Sequence, residues 1–248
     1  MLDRFAYTAM TGAKQSMGQL GNTSNNLANA QTPGFREMVD VFRAAPIQGA
    51  GADSRAFVSD TTPGSVFNGG PIQTTGNPFD VAIKGTEGFF VVQRDNGSEA
   101  YTRNGQFSKD NNGYLRQGKN LVVGMNGAIN IPQDVVLVNI SEEGKIYGKF
   151  QNNEQMMEID QLRLVNMPTA ALKRSADGLF DLPEGAVAEV DDTMRVQQGA
   201  IEQSNVSVTS SMVQMINQMR MFELNIRFIQ TADQNARAAN VLMSLSRN

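Results

Sequence analysis

The chain of 248 residues contains no cysteine, no histidine and no tryptophan. Without cysteine there is no disulfide, no thiol nucleophile and no thiolate ligand for a metal. Without histidine the commonest general base and the commonest zinc ligand are missing, and a Ser–His–Asp triad is excluded. An enzyme built on this chain would have to work with Asp, Glu, Lys, Tyr or Ser alone. Charge is also sparse: charged residues make up 19% and the net charge is −4. That balance gives no basic footprint, so no nucleic-acid partner is expected. No apolar run approaches the ~20 residues of a membrane span, so direct membrane insertion is not expected either. The opening ten residues lack an apolar core and carry Asp3, which does not resemble a cleaved secretory signal. The absence of cysteine fits a reducing compartment. It fits equally a chain exported unfolded, without cross-links in transit.

What is present divides the chain into three stretches. From residue 1 to about 34, apolar or small residues recur at Ala6, Met10, Ala13, Met17, Leu20 and Leu27, with Ser24 in the one gap. Steps of four and three are those of a coiled-coil seam. Thr32-Pro33-Gly34 is a strong helix breaker. Gly12, Gly18 and Gly21 lie inside the run, and each costs an exposed helix about 1 kcal/mol relative to Ala. A helix here needs a partner surface. Asn22, Asn25, Asn26 and Asn29 share one helical face. They read either as a solvated polar face or as amides that bond across a helix interface and fix its register.

The stretch from about 35 to 199 holds every proline except Pro33 and most of the glycines. Asn-Gly occurs at Asn68, Asn96, Asn104, Asn112 and Asn126, and is the strongest short signal for a type I′ hairpin turn. Strand-like runs lie between and beyond these turns: Phe79–Ile83, Gly88–Gln93, Ala100–Thr102, Tyr114–Leu115, Leu121–Val123, Val135–Ile140, Lys145–Phe150, Ile159–Asn166 and Leu179–Leu182. Such spacing predicts an all-β barrel or sandwich.

The last stretch, from about 200, has no proline, and no glycine once the predicted helix begins. Met212, Met215, Met219, Phe222, Ile226, Ile229, Ala236 and Met243 follow the three–four spacing, predicting a helix over Ser207–Ser246. Such a helix would be roughly 60 Å long at 1.5 Å per residue. Its other faces carry neutral amides, Gln214, Gln218, Asn225, Gln230 and Gln234, where a solvated coiled coil carries Glu and Lys. The expected fold is therefore α+β. Residues 1–36 and 200–248 form a discontinuous, coiled-coil-like helical assembly domain, and 37–199 an all-β domain with entry and exit linkers.

No catalytic, cofactor or metal site emerges. Glu142-Glu143 and Asp191-Asp192 are sequence neighbours, whereas catalytic carboxylates face each other across a cleft. Phosphate-binding and dinucleotide-binding glycine loops are missing. Asp110-Asn-Asn-Gly113 resembles part of a calcium loop, but Gln117 and Gly118 follow where an acidic ligand would be needed.

Several motifs, in order along nearly the whole chain, resemble the bacterial flagellar rod and hook proteins. They are Tyr7–Lys14, Ser24-Asn-Asn-Leu-Ala-Asn29 and Thr32-Pro33-Gly34-Phe35; then Thr75–Gly85, Gly88-Phe-Phe-Val-Val92 and Tyr101-Thr-Arg-Asn-Gly105; and finally Gly199–Val206, Met212–Met219 and Gln230-Thr-Ala-Asp233. Tyr7–Lys14, Phe42–Gly49 and Ser59–Gly64 fit proximal-rod members better than distal-rod or hook members. The resemblance implies a non-enzymatic structural subunit, exported without a cleaved signal through the flagellar type III apparatus. It implies assembly in a helical array crossing the periplasm, with copies of itself and other rod proteins as partners and no cofactor. The Asn face and the Met/Ile seam would then be contacts between subunits. Two alternatives stand beside it: a distal-rod or hook relative, and a secreted β-domain on a helical stalk that binds or cuts glycans. With four tyrosines and no tryptophan, the chain is poor in the aromatics that line carbohydrate sites.

Overall fold

A computed structural model describes residues 2–46, 56–151, 155–169, 172–183 and 188–245. Its contacts separate two compact units, Met1–Ala28 with Met38–Val66 and Val206–Asn248, and Asn29–Glu37 with Phe67–Asn205. The chain is mixed α and β, with a helix near each end and strands between.

The first unit holds helix α1 (Leu2–Ala28), helix α2 (Val208–Leu245) and an antiparallel strand pair. The two helices pack along each other. The pair joins Met38–Pro46 to Ala56–Ser65, with a register shift between Val39 and Val41. α1 ends at Ala28, before the Thr32-Pro33-Gly34 breaker, and α2 lies within one residue of its expected bounds at each end. The strand pair was not expected. Its sequence carries Pro46 and the Pro63-Gly64 dipeptide and alternates poorly, so the sequence reads it as linker. The chain thus divides differently from the boundaries drawn on the sequence. Residues 38–66 group with the helices, while 29–37 and 200–205 group with the β unit.

The second unit is built on one ten-stranded sheet. Its path runs Lys173–Arg174, Phe180–Asp181, Glu99–Thr102, Phe89–Gln93, Asn120–Gly124, Leu115–Gln117, Ser108–Lys109, with each neighbouring pair antiparallel. Leu164–Asn166 also bonds to Phe89–Gln93. A three-stranded sheet, Val135–Ile140, Lys145–Phe150 and Met156–Gln161, stands beside two strand pairs. These pairs join Val196–Gln198 to Val81–Ile83 and Ala200–Glu202 to Ile72–Thr74. Phe89–Gln93 explains the two-sided core. Phe90 packs with Val81, Ile83, Phe107 and Leu115, while Phe89 and Val91 pack with Tyr101, Val165 and Phe180. A strand covered on both faces reads as an unbroken apolar run, as Phe-Phe-Val-Val does.

The expected run Ile159–Asn166 is two strands. Met156–Gln161 serves the three-stranded sheet and Leu164–Asn166 the large one, because Leu162 turns aside to bridge Gly124. The type I′ expectation also fails. Among the described residues none but glycine has positive φ, so Asn96, Asn112 and Asn126 sit in ordinary turn geometry and only the following glycine is left-handed. Asn68-Gly69 and Asn104-Gly105 join no paired strands.

Candidate assembly surface

α1 buries a narrow stripe of small and polar residues. Ala9, Ala13, Ser16, Thr23 and Asn26 are buried, with Leu20 and Leu27 half-buried. Small side chains allow a close approach: a Cβ on Gly12 would lie 3.0 Å from Asn225 Oδ1 on α2. The buried stripe is turned by about one residue from the expected seam, sharing Ala13, Leu20 and Leu27 with it. Met10 and Met17 point outward, 58% and 65% exposed. The side chain of Ala6 lies outside the described residues.

The Asn face divides as well. Asn26 exchanges two hydrogen bonds with the backbone of Met38, each 2.8 Å, and so fixes the start of the strand pair against α1. Asn22 donates to Asp40 on the same strand. These two amides are spent on a strand rather than on a helix. Asn25 is exposed, and Asn29 accepts from Thr32 Oγ1.

On α2 the inward line is Ser211, Met215, Gln218, Phe222, Asn225, Ile226, Ile229, Ala232 and Ala236. Five of the expected seam residues, Met215, Phe222, Ile226, Ile229 and Ala236, lie on it. Met212 and Met219 do not, and are 49% and 45% exposed. They join Val208 and Ile216 in an exposed apolar stripe at steps of four, four and three. A second exposed stripe, Met221, Leu224 and Phe228, follows at steps of three and four. α2 therefore carries apolar side chains well beyond the one stripe it buries within the chain, more than the single apolar stripe of an ordinary surface helix.

In the β unit, Thr32-Pro33-Gly34-Phe35 is not a free linker. Gly34 has φ +69°, and a Cβ there would lie 2.3 Å from the backbone nitrogen of Asn104. Its N–H donates to the carbonyl of Glu202 at 2.8 Å. Arg36 and Arg103 share the buried Glu202 carboxylate: Arg36 Nη1 lies 2.8 Å from Oε1, and Arg103 Nη2 lies 2.7 Å from Oε2. Arg103 also donates to the carbonyls of Gly85, Glu87 and Gly88, pinning that turn. Arg174 donates to the carbonyl of Arg36 at 2.7 Å and lies over the rings of Phe35 and Phe180 at 4.4 and 5.1 Å. Burial pulls all three guanidiniums below their ordinary value, Arg174 to about 10; Glu202 opposes it for Arg36 and Arg103. No single pattern in the sequence isolates these residues. Yet Arg36 directly follows Phe35, Arg103 lies in the Tyr101–Gly105 motif, and Glu202 lies in Gly199–Val206. Three separated motifs converge on one buried cluster.

Known flagellar proteins match this chain along its length. It is 36% identical to the flagellar basal-body rod protein FlgF of Escherichia coli (strain K12), over 99% of this chain and 100% of that protein. It is 35% identical to the flagellar basal-body rod protein FlgF of Salmonella typhimurium, over the same shares. The chain belongs to the flagellar basal-body rod protein family. Within that family it is also 30% identical to FlgG of Borreliella burgdorferi, over 96% of this chain and 98% of that protein. The family model for the flagellar hook protein FlgE/F/G D1 domain matches residues 82–148, inside the β unit. The model for the flagellar basal body rod FlgEFG protein C-terminal matches 197–242, which includes most of α2. Both apolar stripes of α2 thus lie in a segment that this rod family defines. Among the described residues, no helix is long and apolar enough to cross a membrane.

One groove of the β unit bears on the glycan alternative. It is lined by Glu87, Asn166, Glu189 and Asp191 among others. Hydrogen bonds from the Thr193 side chain and backbone hold the Asp191 carboxyl below the usual range. That direction is opposite to the raised pKa of a glycosidase's proton donor.

Proposed function

We propose that this chain is a structural subunit of the flagellar basal-body rod, of the proximal segment, polymerising through its terminal helices. One observation carries the mechanism: α2 buries one stripe within the chain and leaves two apolar stripes exposed. Exposed apolar patches of this extent mark sites for other proteins. Met10 and Met17 on α1, with Met212, Ile216, Met219, Met221, Leu224 and Phe228 on α2, then meet neighbouring subunits. Ala13, Leu20, Leu27, Phe222, Ile226, Ile229 and Ala236 hold the two helices to each other in a coiled-coil-like pair. The assembly domain includes the 38–66 strand pair, which Asn22 and Asn26 secure to α1. Partners are copies of this chain and other rod proteins, after delivery by the flagellar export apparatus. Its place is the rod crossing the periplasm, and its task is to carry torque through packed helices, without catalysis.

The test is Phe228→Asp together with Met219→Asp. Both side chains are largely outside the intrachain contact, so the purified variant keeps its helical circular dichroism and urea midpoint. Swimming and incorporation into isolated basal bodies are lost. A motile strain with the doubly substituted protein in its rods would sink this reading.

A further inference from the structure

The five Asn-Gly pairs are chemically unequal. In four, one of the groups needed for ring closure is held. Asn96 Oδ1 accepts from Ser98, and the Gly97 N–H donates to Arg94. Asn104 Oδ1 accepts from the Gln106 N–H at 2.9 Å, and Gly113 donates to Asp110 at 3.1 Å. Asn126 donates its amide to Asp160 at 3.1 Å. Asn68-Gly69 differs: both residues are exposed, and neither the Asn68 carboxamide nor the Gly69 N–H has a hydrogen-bond partner among the described residues. By contrast, the main-chain carbonyl of Asn68 is held twice. It accepts from Arg36 Nη1 at 2.5 Å and from Asn205 Nδ2 at 3.0 Å. The Gly70 N–H, bonded to Glu202 Oε1 at 3.0 Å, anchors the next residue.

We propose that Asn68-Gly69 is a site of spontaneous deamidation, directed by Arg36 and Asn205 to isoaspartate. The Gly69 nitrogen, giving up its proton, attacks Asn68 Cγ; glycine has no Cβ to obstruct the approach. The bond from Cγ to the side-chain nitrogen breaks, ammonia leaves, and a five-membered succinimide remains. Water then adds to one of the two ring carbonyls. The carbonyl gripped by Arg36 and Asn205 is the former main-chain one, and two aimed donors stabilise the oxyanion that forms there. Its bond to the Gly69 nitrogen breaks and the proton returns to that nitrogen. One water is consumed and one ammonia released, with no redox change. The chain now runs through Cβ and Cγ, and a free α-carboxylate stands on the atom that Arg36 already holds. The surroundings favour that product. Two guanidiniums, Arg36 and Arg103, share one carboxylate, and Arg36 Nε and Nη2 are buried without a hydrogen-bond partner among the described residues.

The test incubates the folded, full-length chain in mildly alkaline buffer and follows all five sites by peptide mass spectrometry. Isoaspartate is scored by enzymatic methylation, and the same chain in urea is the control. In the folded chain Asn68 converts severalfold faster than the other four, with a higher isoaspartate-to-aspartate ratio than in urea. Asn205→Ala lowers that ratio toward the urea value while ammonia release at Asn68 continues. The proposal is overturned if another Asn-Gly pair converts first in the folded chain, or if the ratio at position 68 is unchanged by folding. Should the Asn205 variant not fold, the comparison on the unaltered chain decides alone.

Discussion

Glu202 faces two buried arginines, and its side chain is as deeply buried as theirs. Removing one partner of a buried ion pair leaves uncompensated charge, which costs about 3–5 kcal/mol. Glu202→Gln therefore lowers the unfolding free energy of the β unit, read from its urea transition, by an amount in that range, whereas Glu142→Gln, in an exposed pair with Lys84, barely moves it. Gly34→Ala also destabilises, since φ +69° disfavours a Cβ and the Asn104 backbone occupies its place. At the surface, a hydrogen bond from Arg116 holds the Asp110 carboxyl below its usual range, Lys84 does the same for Glu142, and Thr193 for Asp191. These groups bind protons more weakly folded than unfolded. Their stabilisation is present above the ordinary carboxylate pKa of about 4 and is lost as pH falls through the lower folded values. The urea midpoint of the chain should thus fall on acidification below about pH 4, and Asp110→Asn should flatten part of that slope. A midpoint that rises on acidification would contradict the sign.

Two glycines of α1 separate intrinsic propensity from packing. A Cβ on Gly21 would meet nothing within 4 Å, so Gly21→Ala stabilises the helix by about 1 kcal/mol. A Cβ on Gly12 would meet Asn225 Oδ1 at 3.0 Å and Nδ2 at 3.2 Å, so Gly12→Ala gains less or loses, according to whether that amide can turn away. Thermal melts of the two variants, read by circular dichroism, should rank Gly21→Ala above Gly12→Ala. Periodicity made both helices legible, and Val135–Ile140 and Lys145–Phe150 match the sequence reading residue for residue. The two-residue strands, such as Lys173–Arg174 and Glu189–Val190, were not legible, because their partners rather than their own pattern define them. Helical spacing located a seam on α1 but not its angle. The buried stripe is set by which side chains are small enough for α2 to approach, and that favours Ala9 and Ser16 over Met10 and Met17. The Arg36–Glu202–Arg103 cluster had no signal of its own, since its members come together only through the Ala200–Glu202 strand and the turn after Ala28.

For the whole molecule, the two units differ in what completes them. The β unit encloses apolar clusters on both sides of Phe89–Gln93 and fastens its own entry segment through Gly34 and Arg36. α2 has only one stripe covered within the chain, and in the proposed assembly neighbouring subunits cover the rest. Helices draw most of their stability from packing of an apolar face, so a helix partly packed opens more often than a core strand. Trypsin acting on the unassembled protein should therefore cut first at Arg220, Arg227 and Arg237, each exposed on α2, and leave a resistant fragment that contains 67–205 and ends at Arg220. In isolated basal bodies the same three bonds should survive, since the proposed assembly buries the stripes that run between them against adjoining subunits. Peptide mass spectrometry of both digests reads the outcome. Early cleavage within 67–205, or equal attack on α2 in the free and the assembled protein, would mean that α2 gains nothing from neighbours, and the polymerising role would have to move to another surface of the chain.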